Sequence, residues 1–327
     1  MKNQSNKLVI PNRIPVSDHS PLLAIDHGGL PAEEEMFKQI MLTVETAWRN
    51  HISKDQIERW LSNFKGTVFS KNEERRLALW LLTCFVYYNE SEVRHLCKTV
   101  YHDFLHQELS NESKLPSYKD IRHSVDTIHS TTRFYHLGSP SESGAFILYF
   151  FRQANDLGVE DFLHDINEIP PHVKKVVFID DVTLSGRQAK RYLRKYTDRL
   201  RGREVFLLTL CSTAAAQEHL LRTNITVLSA IELDSRCKCF SPESGVFEHY
   251  PSYKDKCRTL AEQYGRLLSP ECPLGFDGGQ YAFSFFYNTP NNTLPIFWSE
   301  RRNWVPILKR YRKPYGKVTS HALGRFV

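Results

Sequence analysis

A chain of 327 residues is long enough for two domains and a substantial core, and its 41% apolar and 24% charged content excludes disordered and fibrous classes. The net charge of +6 is too mild to mark the whole chain as a polyanion binder, and no stretch approaches the ~20 apolar residues of a membrane span. The first twenty residues lack the apolar block of a secretory signal, and seven cysteines, an odd number, argue against a disulfide framework, so the expectation is a cytoplasmic protein with no membrane partner.

Residues 1–32 carry Pro11, Pro15, Pro21, Gly28, Gly29 and Pro31 and predict an irregular N-terminal arm. Residues 33–112 then predict a helical domain. Met36, Ile40, Val44 and Trp48 form a stripe at four-residue spacing. Ser53-x-x-Gln56 and Ser70-x-x-Glu73 have the form of capping boxes, and the second opens onto Leu77–Tyr88, apolar nearly all round and expected as the buried central helix. Asn89-x-x-Glu92 starts a fourth helix with Val93, Leu96, Cys97, Val100, Tyr101, Phe104 and Leu105 on one face. Its histidines, His95, His102 and His106, fall on the polar face. A helical cap or partner-docking module is the expected role.

From about residue 113 to 310 strands alternate with helices, the pattern of an α/β domain with a parallel sheet. Thr131–Leu137 predicts a strand and Ala145–Asp156 a helix, with Gly138–Gly144 as the loop between them. Ser139, Ser141, Ser143 and Gly144 are small enough to let backbone N–H groups approach a dense anion, whereas Glu142 would repel one. A plain connecting loop is the other reading of this segment.

Val176–Ile179 suits a buried parallel strand, although so short an apolar run also fits a buried helix. Asp180 and Asp181 follow at once, then the turn Thr183, Leu184, Ser185, Gly186, Arg187, Gln188 and a basic helix from Gln188 to Leu200. Ligands of open α/β sheets sit beyond the carboxyl ends of strands, and free N–H groups at a helix start attract anions. Paired acids can accept hydrogen bonds from a vicinal diol while the turn cradles a phosphate. Both halves of a ribose 5-phosphate site thus lie in one segment, with a strand-to-helix turn capped by Asp180 as the bland alternative.

The sheet continues through Glu204–Leu210, helix Ala214–Leu221 and strand Ile225–Leu233. Asp234 and Arg236 follow at a third carboxyl-end edge and are site candidates by position alone. A strand is expected at Tyr281–Tyr287, followed by the turn-forming Asn288–Trp298 run, with Trp298 and Trp304 as packed lid or stacking surface. Cys237, Cys239, Cys257 and Cys272 read better as free thiols than as a zinc site. The basic tail 311–327, together with Lys309 and Arg310, contains no acid and interleaves aromatic residues, which suits either a nucleic-acid contact or a solvated surface.

Residues 176–186 resemble the ribose-phosphate loop of type I phosphoribosyltransferases, with Asp180, Asp181, Val182, Ser185 and Gly186 on the pattern. Arg187 stands where a second glycine is common and Gln188 where a threonine is usual. Together with the helical front and the Asn-Thr-Pro-Asn-Asn-Thr-Leu-Pro run, the chain is similar over most of residues 35–310 to the PRTase-CE family, phosphoribosyltransferase-like proteins of bacterial conflict systems, including retron anti-phage cassettes. The resemblance implies a type I phosphoribosyltransferase-like α/β fold behind an all-α N-terminal domain. It implies a pentosyltransferase, or a hydrolytic variant, acting on phosphoribosyl pyrophosphate or a nucleotide in anti-phage defence. Asp180 and Asp181 would hold the ribose, directly or through Mg²⁺; residues 183–188 would hold the 5′-phosphate, and Ser139, Ser141, Ser143 and Gly144 the pyrophosphate. A non-catalytic nucleotide sensor, and a structural subunit of a nucleic-acid-containing defence complex with a reverse transcriptase and its non-coding RNA, are the alternatives. An oligomer is compatible with each.

Overall fold

The computed structural model describes residues 29–110 and 118–310, with the side chains of 118–120 left aside. Most of the expected arm and the basic tail from 311 onward lie outside the described residues.

Helix α1 (Glu33–Thr46) opens with three glutamates, which oppose the positive end of its dipole, and buries Met36, Ile40 and Val44. A complete capping box starts α2 (Lys54–Leu61): Gln56 N–H donates to the Ser53 hydroxyl and Ser53 N–H to the Gln56 side chain. Ser70 caps α3 (Lys71–Thr83), but Glu73 does not complete the box; its carboxylate meets Lys256 at 2.7 Å. Contrary to the expectation of one helix to Tyr88, α3 ends at Thr83, and Val86–Tyr88 forms strand β1, paired in parallel with β6 (Phe283–Phe285). Aromatic and β-branched residues prefer the extended form once a partner strand is at hand. Asn89 and Glu92 cap each other reciprocally at the start of α4 (Glu90–Ser110), and His95, His102 and His106 are exposed.

Helices α1–α3 share their core with residues 239–308, including α10 (Lys254–Leu268) and α11 (Pro295–Trp298). The indoles of Trp60 and Trp304 both donate to the Ile296 carbonyl, at 2.8 and 2.9 Å. Inside this core the Glu74 carboxylate is fully buried and accepts from Gly66, Val68 and Phe69 N–H and the Tyr264 hydroxyl, which hold it below the usual carboxylate range against the opposing effect of burial.

Helix α5 (Tyr118–Thr131) leads into a four-stranded sheet, all parallel, in the order β2 (Thr132–His136), β3 (Lys175–Thr183), β4 (Glu204–Ser212), β5 (Ile225–Glu232). The pleat sends alternate side chains to opposite faces. Val177 and Ile179 pack with α4 and α6 (Ser143–Ala154), whereas Val176 and Phe178 pack with α7 (Arg187–Leu193) and α9 (Ala214–Leu221). The basic helix expected to run to Leu200 is broken after α7, with a short α8 at Thr197–Leu200. This is the expected α/β architecture, a parallel sheet flanked by helices, and the segment before it is helical except for β1.

Candidate functional site

Strand β3 runs past the apolar Val176–Ile179 and carries Asp180 and Asp181 within its last turns of pleat, Asp180 in register with Thr209 of β4. Both acids are buried. Asp180 accepts the Asp181 N–H (3.0 Å). Asp181 accepts the Val182 N–H (2.8 Å) and the Ser143 hydroxyl (3.0 Å) on Oδ1, and the Tyr287 hydroxyl (3.3 Å) on Oδ2.

Burial, then the charge of Asp181, pushes the Asp180 carboxyl well above the usual carboxylate range. Burial also raises Asp181, but the Ser143 hydroxyl, the Asp180 carboxyl, the Val182 N–H and the Arg310 charge pull it back. Asp180 is therefore the harder of the two acids to ionise.

The loop after β2 is drawn against this pair. Leu137 N–H donates to Ile179 O (2.9 Å), and α6 starts so close that a Cβ on Gly144 would stand 2.3 Å from Leu137 O and 3.0 Å from Ile179 O. Only glycine fits there. Ser143, the residue before it, thereby reaches Asp181. Ser139 and Ser141 are exposed, 3.3 Å apart through their hydroxyls. Glu142 accepts from the Ser139 hydroxyl (3.1 Å) and from the Gln188 amide (3.4 Å), bridging the two loops.

The turn after β3 is pinned from the neighbouring strand. Thr213 accepts the Ala216 N–H to cap α9 and donates its hydroxyl to Leu184 O at 2.7 Å. Gly186 caps α7 in the left-handed region (φ +67°), and a Cβ there would meet Leu220 Cγ at 2.9 Å. Helix α7 has no side-chain cap, so its first N–H groups face the turn Thr183–Gln188, as any uncapped helix start does. Arg187 does not point its charge freely into this turn: its guanidinium holds Asp277 through both carboxylate oxygens, at 2.8 and 2.6 Å.

Asp234 and Arg236 pair with each other at 2.6 Å at the exposed edge beyond β5, and among the described residues no hydrogen bond or ion pair links them to the acid pair. The Arg310 guanidinium, expected on a polyanion-binding surface, instead donates to Thr289 O (2.6 Å) and lies over the Trp298 ring; Lys309 meets Glu300 at 3.0 Å. Arg312 and Lys313 lie outside the described residues. Trp298 and Trp304 are buried, as packing predicts. The Asn288–Leu294 turn is buried too: Thr289, Asn292 and Thr293 donate to backbone carbonyls of Leu308, Phe276 and Phe283. Cys97, Cys211, Cys239 and Cys257 are buried free thiols.

Four residues at or beside the site carry no local sequence signal: Thr213, Asp277, Tyr287 and Arg310. Each acts on the 139–188 region from more than twenty residues away in the chain.

Adjacent carboxylates supply hard oxygen ligands suited to Mg²⁺, which usually takes one or two of them and completes its shell with water and ligand oxygens. Among the described residues Asp180 accepts the Asp181 N–H, whereas Asp181 accepts from Val182, Ser143 and Tyr287. Among the described residues no group of three or more Asp, Glu, His or Cys forms a metal site by itself, so such an ion would fit only together with ligand oxygens.

The family model described as PRTase-CE matches residues 57–310. No curated protein matches the chain. Among solved structures, orotate phosphoribosyltransferase from Aeropyrum pernix aligns at 16% identity and a TM-score of 0.24, covering 33% of this chain and 62% of that one.

Proposed function

Since this chain belongs to the PRTase-CE family, we propose that its α/β unit binds a ribose 5-phosphate and acts as a phosphoribosyltransferase-like enzyme, with transfer or hydrolysis at C1 of the sugar. The observation that carries this reading is the buried pair Asp180–Asp181 at the carboxyl end of β3, beside a turn that ends in an uncapped helix start. Burial of two adjacent carboxylates is costly, and hydroxyl donors or a cation from a ligand would offset that cost.

In this reading the acids hold the 2′- and 3′-hydroxyls, and the backbone of Thr183–Gln188 with the Ser185 hydroxyl holds the 5′-phosphate. The group on C1 faces the loop Ser139, Ser141, Ser143, Gly144. A Mg²⁺ ion held by Asp180 and Asp181 would supply positive charge to ligand oxygens. The chain's own contribution is positioning: bond breaking at C1 gives the sugar oxocarbenium character, and a fixed ribose with fixed dipoles needs no rearrangement as that charge grows. Ser143 and Tyr287 keep Asp181 aimed. Asp234 and Arg236 would take part only if the acceptor extends to their edge.

Action in bacterial anti-phage defence, with a reverse transcriptase or its RNA as partner, is part of the same proposal and rests on the family alone. The second reading, a nucleotide sensor without turnover, draws support from the Arg187–Asp277 pair, which occupies a cation beside the phosphate turn. The test is calorimetric titration with ribose 5-phosphate of the native chain and of Asp180→Asn/Asp181→Asn. Binding by the native chain and its loss in a folded double variant supports the site, and equal binding by both removes it. Release of base or pyrophosphate from labelled ligand separates enzyme from sensor.

A further inference from the structure

Two side chains bear on what sits at C1. The first is Glu142. It occupies the middle of the loop expected to take an anion, and its carboxylate folds back over that loop: a Cβ on Gly138 would stand 2.4 Å from Glu142 Oε2. Ser139 and Gln188 both donate to it, one from each loop of the site. Its charge also reaches the acid pair, where it adds to the effects of burial and of Asp181 in raising Asp180. A pyrophosphoryl group placed here would meet like charge, which disfavours it strongly. Nucleobase N–H and amino groups are donors that a carboxylate accepts.

The second is Phe146, one helical turn beyond Glu142. Phenylalanine is ordinarily buried, yet this ring is 40% exposed, with Tyr149 beside it on α6 at 56%. It lies 4.7 Å from the Tyr287 ring, centroid to centroid, and the Tyr287 hydroxyl is on Asp181. An exposed aromatic face one ring removed from the acid pair has the chemistry on which a base can stack.

We propose that the ligand is a nucleoside monophosphate, with Glu142 and Phe146 selecting a nucleobase over a pyrophosphoryl group at C1. This rests on the ribose-phosphate reading above and names its substrate class.

The experiment titrates the native chain, Glu142→Gln, Phe146→Leu and Phe146→Tyr with ribose 5-phosphate, the four common ribonucleoside 5′-monophosphates and phosphoribosyl pyrophosphate, by calorimetry on folded protein. At least one monophosphate should bind the native chain more tightly than ribose 5-phosphate, and phosphoribosyl pyrophosphate more weakly. Glu142→Gln should raise the affinity for phosphoribosyl pyrophosphate relative to ribose 5-phosphate by about tenfold, as expected for removing one like charge. Phe146→Leu should lower the monophosphate-to-ribose-5-phosphate ratio by about tenfold, the lower end of a base–aromatic stack, and Phe146→Tyr should restore it. Tighter native binding of phosphoribosyl pyrophosphate than of any monophosphate, or ratios that neither variant moves, overturns the inference while leaving the ribose-phosphate site standing. Absence of ribose 5-phosphate binding to the native chain overturns both.

Discussion

The Ser143 hydroxyl donates to Asp181 Oδ1 across 3.0 Å, so the first residue of α6 and an acid of β3 form one unit although 38 residues separate them. The Tyr287 hydroxyl closes the other oxygen of the same carboxylate. Asp181 is thus aimed by protein, while burial and the charge of Asp181 make Asp180 the harder of the two to ionise. That division of labour gives the first prediction.

Asp180→Asn should stabilise the apo protein at neutral pH and abolish ribose-phosphate binding. A carboxyl whose folded pKa is raised contributes stability that is complete below its unfolded value and is lost as pH rises through the folded value. As pH rises from the unfolded carboxyl range towards the raised folded value the native chain progressively loses that contribution, and asparagine removes the cost, by roughly 1–3 kcal/mol. The advantage should shrink on acidification and vanish below about pH 4, the unfolded carboxyl range. Urea unfolding of both proteins across pH 3–8 reads it, and an advantage independent of pH would contradict the assignment.

Ser143→Ala should move the pH midpoint of ribose-phosphate binding upward. The hydroxyl is the strongest of the groups lowering Asp181, so its loss leaves burial less opposed and the acid harder to ionise. A hydrogen bond to a charged group contributes about 1.5–3 kcal/mol, which corresponds to about one pH unit or more. Affinity measured between pH 5 and 9 shows the midpoint, and an unmoved midpoint would place Ser143 outside the ionisation.

Gly186→Ala should destabilise the fold by about 1–3 kcal/mol, because the left-handed backbone is strained for any side chain. The added Cβ also meets Leu220, so α9 must give way. Chemical denaturation measures the loss. Equal stability would mean that the turn relaxes without cost.

Asp277→Ala should leave stability within about 1 kcal/mol, since the Arg187–Asp277 pair is exposed and such pairs contribute little. It should nonetheless raise affinity for ribose 5-phosphate several-fold by freeing Arg187 for the phosphate, and Arg187→Ala should lower it by about tenfold or more, the range of a charge-assisted hydrogen bond. Titrations of the two variants decide it; a fall in affinity with Asp277→Ala would show that the acid assists binding.

What could be read from the chain was local. The Ser53–Gln56 and Asn89–Glu92 caps involve residues three apart, and both form. The apolar run ending in two acids likewise places Asp180 and Asp181 at a strand end because strand and acids are contiguous. Val86–Tyr88 reads as helix because its partner, Phe283–Phe285, lies almost two hundred residues on, and an apolar run alone has no period to distinguish the two forms. Arg310 was legible only as charge. Its place over Trp298, from which its charge lowers Asp181, depends on the buried Asn288–Leu294 turn and cannot be inferred from a basic run.

The shared carbonyl of Ile296 has a consequence for how the molecule comes into being. Trp60 leaves the ribosome early and its hydrogen-bond acceptor 236 residues later. The strands β2 to β5 lie within about a hundred residues of chain, although one face of their sheet shares its core with Tyr281, Phe283 and Phe285. The core of α1–α3 can be completed only once residues 239–308 have been made, and until then part of its apolar surface lacks its native cover.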